Sequence, residues 1–272
     1  MPEPVRLAAL LLGAALVAWI VSAERMDGMD AGPGTDLGGL GWYVGVWVTM
    51  MAAMMLPSVA PMVLIFARVA RSRVERGRRF VSLWIFVSGY LMAWTVYGLL
   101  AYGIFRAINA ADWGFLAWDA QGAIVAGVAI AAAGLYQFLP LKNVCLRHCR
   151  GPLHFILHGW RDGRMGALRM GIEHGVYCVG CCWALIVVLF ALGVMSVVWM
   201  AVLAGLIFAE KVLPRGERLL RPIAVLLVAV GIWVAASPDS VPGLTEPDRP
   251  AAQMVQMDGA PPAVSTSRDS PR

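Results

Sequence analysis

The strongest constraint on this chain is a series of apolar runs, each long enough to cross a lipid bilayer as a helix. A hydrocarbon core about 30 Å thick needs roughly 20 mostly apolar residues per helical span. Such runs occupy about 7–23, 42–66, 80–105, 121–140 and 221–237. A longer stretch from Gly175 to Ala209 would make a helix of roughly 50 Å at about 1.5 Å per residue, too long for one span. Gly193 divides it into spans near 172–193 and 195–212. The expected fold is therefore all-α, a polytopic bundle of about seven transmembrane helices over 1–237. Composition agrees, since 60% of the residues are apolar and 14% charged, against about 45–50% and about 25% in soluble domains.

Charge placement sets the expected sidedness. With the N-terminus inside, the inner segments hold Arg6, the Arg68–Arg79 cluster, Lys142 to Arg169, and Lys211 to Arg221, which is 17 of the 22 basic residues. That is the positive-inside pattern, and it predicts N-in and C-out. The net charge of +5 is scattered in short clusters between apolar runs, not gathered on one face, so nucleic acid is not an expected partner. Arg outnumbers Lys 20 to 2, a bias in keeping with a GC-rich bacterial genome, and the expected location is the bacterial inner (cytoplasmic) membrane. The first run also reads as a signal peptide ending Val21-Ser22-Ala23, and cleavage there would leave six spans with the same sidedness. Residues 238–272, rich in Pro, Asp, Ser and Thr, read as a disordered extracytoplasmic tail.

All five cysteines and all four histidines fall between Cys145 and Cys182. Thiolate and imidazole are ligands for soft and borderline transition metals, so the composition favours copper or zinc over calcium or magnesium. On a helix, His174, Cys178, Cys181 and Cys182 share one stripe (i, i+4, i+7, i+8), and a helix starting near Met170 would present it on its first turns. Cys145, His148 and Cys149 form a second group on a turn that Gly151-Pro152 ends. These seven residues are the expected metal ligands, and plain packing of buried cysteine is the alternative. A cytoplasmic setting predicts free thiols, and five cysteines cannot all pair within one chain.

Two weaker candidates accompany them. His154 and His158 are i, i+4 neighbours on a short amphipathic segment ending at Trp160, a chelating spacing that also suits interfacial anchoring. In the second span, Met51, Met54, Met55 and Met62 share a face with Ser58, beside Pro57 and Pro61. Thioethers suit Cu(I), so this methionine stripe is a candidate transfer path, with gap-filling packing as the alternative. Met-x-x-Met pairs at Met26/Met29 and Met254/Met257 are short matches expected by chance. Glu210 and Lys211 close the sixth span and are expected to snorkel to the interface. No P-loop, G-x-S-x-G, H-E-x-x-H or Rossmann pattern occurs, so hydrolase and nucleotide chemistry have no support.

Three blocks, MMAAMMLPSVAP at 50–61, KNVCLRHCRGP at 142–152 and HGVYCVGCCWAL at 174–185, together with FAEK at 208–211, resemble a bacterial family of multi-pass proteins described as metal-binding integral membrane proteins. The resemblance runs from about Trp42 to Trp233. It implies a membrane location and metal ligands at Cys145, His148, Cys149, Cys178, Cys181 and Cys182, and it implies no particular activity.

The reading that follows is an integral membrane protein that binds copper or zinc through its Cys/His cluster and takes part in metal handling or supply. Its expected partners are the lipid bilayer, the metal ion and a metal donor or acceptor protein. An enzymatic alternative, less favoured, is a membrane oxidoreductase using Cys178-x-x-Cys181 or its metal, with a thiol activated near a helix N-terminus. A third is a structural zinc that clamps the connection between the fourth and fifth spans within a larger complex.

Overall fold

The computed structural model describes residues 3–26, 37–77, 83–110, 123–192, 196–213 and 220–237. Within them the chain is all helix: α1 (Glu3–Met26), α2 (Leu40–Glu75), α3 (Leu83–Ala110), α4 (Ala123–Tyr136), α5 (Pro140–Arg150), α6 (Pro152–Gly159), α7 (Gly163–Leu192), α8 (Val197–Val212) and α9 (Leu220–Ala236). Four of them, α1, α2, α3 and α7, are long and apolar enough to cross a membrane. A fifth candidate is α4 with α5, a pair bent by 66° at a short break. Helices α8 and α9, of 16 and 17 residues, are shorter than a full span. The tail, Met29, and the loop residues from 111 to 122 lie outside the described residues.

Local sequence sets the breaks around the Cys/His window. Pro140 stands at the start of α5, where its missing N–H costs nothing and its fixed φ suits a first helical turn. Gly151 ends that helix, its N–H donating to the Arg147 carbonyl at 2.9 Å, and Pro152 starts α6 at once. The long apolar run divides near the expected place, with α7 ending at Leu192 and α8 beginning at Val197. One boundary differs from expectation. Helix α7 begins at Gly163, not near Met170, so Cys178 lies 15 residues inside a 30-residue helix. The helix dipole fades within the first turn, so the helix-terminus argument for an activated thiol does not apply.

The order of packing follows from small residues. Helices α3 and α7 run parallel, with Gly89 against the Leu168 carbonyl, Gly171 against the Phe86 carbonyl and Gly175 against Ala93 and Tyr90. A Cβ at Gly175 would lie 2.9 Å from the Tyr90 carbonyl oxygen, closer than packing allows. Backbones this close are typical of small-residue helix interfaces in membranes. Helices α4 and α9 meet in the same way through Gly127, Gly134 and Gly231.

Helices α2 and α7 are the most buried of the long helices, whereas α1, α3, α4 and α9 turn large apolar side chains outward, among them Leu16, Val17, Leu100, Val128, Leu226 and Trp233. Such an apolar exterior is the mark of a membrane or protein contact. Tyr136, the last residue of α4, donates from Oη to the Gly180 carbonyl, and Lys211, in the last turn of α8, reaches Cys178. Both helices therefore stop at the level of the cysteines, while α7 continues below them against α3, α5 and α6.

Because α3 and α7 touch backbone to backbone, Gly171→Leu is expected to force them apart. Overpacking of this kind costs about 1–3 kcal/mol or more. Thermal unfolding of the detergent-purified protein should show a lowered midpoint, whereas Gly205→Leu, at a position with open space around it, should leave it near wild type.

Candidate metal centre

Helix α7 supplies the core of the site. The Sγ atoms of Cys178, Cys181 and Cys182 all lie within 4.8 Å of one another, and all three residues are buried to 1% exposure. Cys181 and Cys182 sulfurs are 3.2 Å apart, and the Cys181 thiol also donates to the Cys178 carbonyl at 3.1 Å. The consecutive pair Cys181 and Cys182 points two thiols into neighbouring sectors of the helix, and Cys178, one turn earlier, completes the triangle.

Helix α5 brings a fourth sulfur. Lys142, Cys145, Leu146 and Cys149 recur at i, i+3, i+4 and i+7, one helical stripe turned toward α7 and α8. Cys149 Sγ stands 3.8 Å from Cys181 Sγ. Cys145 takes a different place, with its sulfur lying against Gly180, 2.7 Å from where a Cβ would be. Only glycine at 180 lets α5 sit that close. All five cysteines are free thiols.

The histidines are spread around this sulfur set. His174, one turn before Cys178, is buried among Phe86, Tyr90 and Phe155, and its Nδ1 has no hydrogen-bond partner. His148 stacks on Tyr177 at 4.1 Å between ring centroids, with Nδ1 2.9 Å from the Val144 carbonyl. A proton on that nitrogen leaves Nε2 as the ring's lone-pair donor, the tautomer that metal-ligating histidines commonly use. His154 is exposed on α6, and the side chain of His158 lies outside the described residues.

Helix α2 carries the methionine stripe inward. Met51, Met54, Met55 and Met62 are all buried in the same continuous core as the cysteines. Trp47 donates to the Trp94 carbonyl at 2.9 Å, and Phe66 stacks on Phe86 at 4.6 Å. The α2 segment between these anchors faces the α3 segment between Phe86 and Trp94, which holds Tyr90. Tyr90 Oη is 2.9 Å from Cys178 Sγ, and the α2 methionines and the α7 thiols belong to one core.

The charged residues at the end of α8 depart from the sequence expectation. Glu210 and Lys211 do not snorkel outward; both are buried, as is Lys142. Lys142 Nζ meets Glu210 Oε2 at 2.8 Å and also donates to Gln137 Oε1. Lys211 Nζ donates to Cys178 Sγ at 2.8 Å. Arg150 donates to the Glu210 and Leu213 carbonyls at 3.2 and 2.7 Å, closing the exposed end of α8. Snorkelling requires a side chain that can reach solvent, and α5 packed under the end of α8 removes that route. A signal was present in the sequence. The chain has two lysines against 20 arginines, and both lysines sit at this site. Lysine carries its charge as a compact ammonium on a flexible stem, whereas arginine presents a wider planar fork.

An all-helical bundle that gathers three buried thiols, with a fourth sulfur nearby and an ammonium beside them, offers the donor type that soft metal ions prefer. Residues 44–234 match the family described as PpoB2, copper chaperone, and the chain belongs to that family. Comparison with curated proteins and with solved structures gives no match.

The Lys142–Glu210 pair makes a stability prediction. Lys142→Met leaves a buried carboxylate without its cation and is expected to cost about 3–5 kcal/mol, whereas replacing both partners by apolar residues (Lys142→Met with Glu210→Met) is expected to cost far less. Denaturant or thermal unfolding of the two variants, side by side in one detergent, checks the difference.

Proposed function

We propose that this protein is a membrane-embedded copper chaperone that receives Cu(I) as cargo at the Cys178, Cys181 and Cys182 thiols and passes it to a partner protein. The three buried sulfurs within 4.8 Å carry this reading. Thiolate is the preferred donor for Cu(I), and exclusion of water protects both the ion and the thiols. Cys149, 3.8 Å from Cys181, is placed to take the ion over by exchange of one sulfur for another. Cys145, His148 and His174 border the site as further donors, and the unpaired His174 Nδ1 supports a ligand role there. His154 and His158 are remote candidates for a docking or entry step on α6.

The methionine stripe supports a route through the bundle. Met51, Met54, Met55 and Met62 would hold Cu(I) more weakly than thiolates, so an ion moving toward the cysteines goes downhill in affinity. In this reading seven spans, with α8 and α9 as short ones, cross the bacterial inner membrane with the N-terminus inside and the C-terminal tail outside, and the buried cysteine site lies on the cytoplasmic side. The apolar exterior of α1, α3, α4 and α9 supports contact with lipid, and the charge distribution supports the orientation. An alkaline phosphatase fusion after Ala110 is then expected to be active and one after Gly77 inactive; the reverse would sink the topology.

One observation favours a second reading. Four sulfurs, Cys149 with the α7 triad, are also the number that a structural zinc takes. Elemental analysis of the anaerobically purified full-length protein separates the two. We expect about one equivalent of copper after exposure to Cu(I), with the thiols protected from alkylation until a chelator removes the ion. Cys181→Ser with Cys182→Ser is expected to abolish uptake. Tightly held zinc that neither exchanges nor yields to Cu(I) would favour the structural site, and unchanged copper in the double variant would remove the triad from the function.

A further inference from the structure

Lys211 is the one charged side chain in contact with the sulfur triad among the described residues, and its surroundings define its role. Its Nζ is 2.8 Å from Cys178 Sγ, and the residue is 8% exposed. Among the described residues no carboxylate lies within ion-pair distance of it, because the adjacent Glu210 is held by Lys142. A buried ammonium without a carboxylate partner is costly unless another anion compensates it. The group in contact with it is the sulfur of Cys178. Tyr90 Oη, 2.9 Å from the same sulfur, adds a neutral contact and no charge.

A metal bound to Cys178 would therefore lie close to a fixed positive charge. With a metal–sulfur bond of about 2.3 Å, and 2.8 Å from that sulfur to Nζ, the ion and the ammonium are at most about 5 Å apart. At that separation the repulsion on a divalent ion is twice that on a monovalent ion in the same position.

We propose that Lys211 is a specificity-determining residue that makes the cysteine site select a monovalent soft cation over a divalent one. The proposal rests on the copper-binding reading of the triad and adds to it the physical basis of the metal choice. Stabilisation of the Cys178 thiolate by the ammonium helps both metals alike and cancels in a comparison between them. The repulsion does not cancel, because it scales with the charge of the ion.

The test is a pair of chelator competitions on the full-length protein in detergent under anaerobic conditions, one with Cu(I) and one with Zn(II), for the wild type, Lys211→Met, Lys211→Gln and Lys211→Arg. The quantity read is the ratio of the two affinities. We expect Lys211→Met and Lys211→Gln to lower the Cu(I)-over-Zn(II) ratio by about tenfold or more, the scale of one extra unit charge repelled across a few Å in a partly buried site. Lys211→Arg keeps the charge and is expected to keep the ratio even where its bulk weakens both affinities. The glutamine variant, which retains a polar donor, provides the reading if the methionine variant does not fold. A fall of both affinities by one common factor, or no change at all, would overturn the selectivity role and leave Lys211 as a packing or thiolate-stabilising group. Wild-type protein that binds neither ion, or a Cys181→Ser with Cys182→Ser variant that binds Cu(I) as well as wild type, would instead overturn the copper site itself.

Discussion

The parallel contact between α3 and α7 is the constraint on which the site depends. Gly89, Gly171 and Gly175 allow the two backbones to meet with nothing between them. Once they meet, Tyr90 is held against Cys178, and His174 is enclosed between α3 and the Phe155 side of α6. A larger residue at any of these glycines would separate the helices and open the sulfur triangle to the space between them. The dry, close environment of the thiols is thus a by-product of glycines one to three turns before them on α7, with Gly89 opposite on α3.

Helix length does the rest. Helices α4 and α8 end at the level of the cysteines, and the bend after Tyr136 returns the chain as α5 directly beneath them. Lys142, Cys145 and Cys149, on one stripe of α5, then meet α8, Gly180 and Cys181 respectively. The consecutive residues Glu210 and Lys211 are divided between two partners, a lysine from α5 and a cysteine from α7. Pairing Glu210 with Lys142 leaves Lys211 to the sulfurs, so the arrangement of the ion pair and the character of the metal site are set together.

Much of this was legible in the residues. Apolar runs predicted every long helix, and Gly151-Pro152 marked the α5–α6 break because one residue tolerates the turn and the other starts a helix. The i, i+4, i+7, i+8 spacing of His174, Cys178, Cys181 and Cys182 placed four donors on one stripe, of which three converge. Helix α7 starts at Gly163, seven residues before the expected Met170, and its early turns pack closely on α3 at Leu168 and Gly171. Tyr90 could not be found in this way. Nothing in its own segment marks it, and its role comes from a contact between residues 88 positions apart.

By itself the sequence determined that the chain is helical, that its helices are apolar enough for a bilayer, and that its soft donors are concentrated in one window, because these properties depend on composition and on local periodicity. Tertiary structure decided which donors converge. Cys149 approaches Cys181 of the triad, Cys145 lies against Gly180, His148 stacks on Tyr177, and Lys211 turns inward to Cys178. Each of these outcomes depends on the distance and rotation between helices far apart in the chain, and those are set by glycine contacts and helix ends that no single segment encodes.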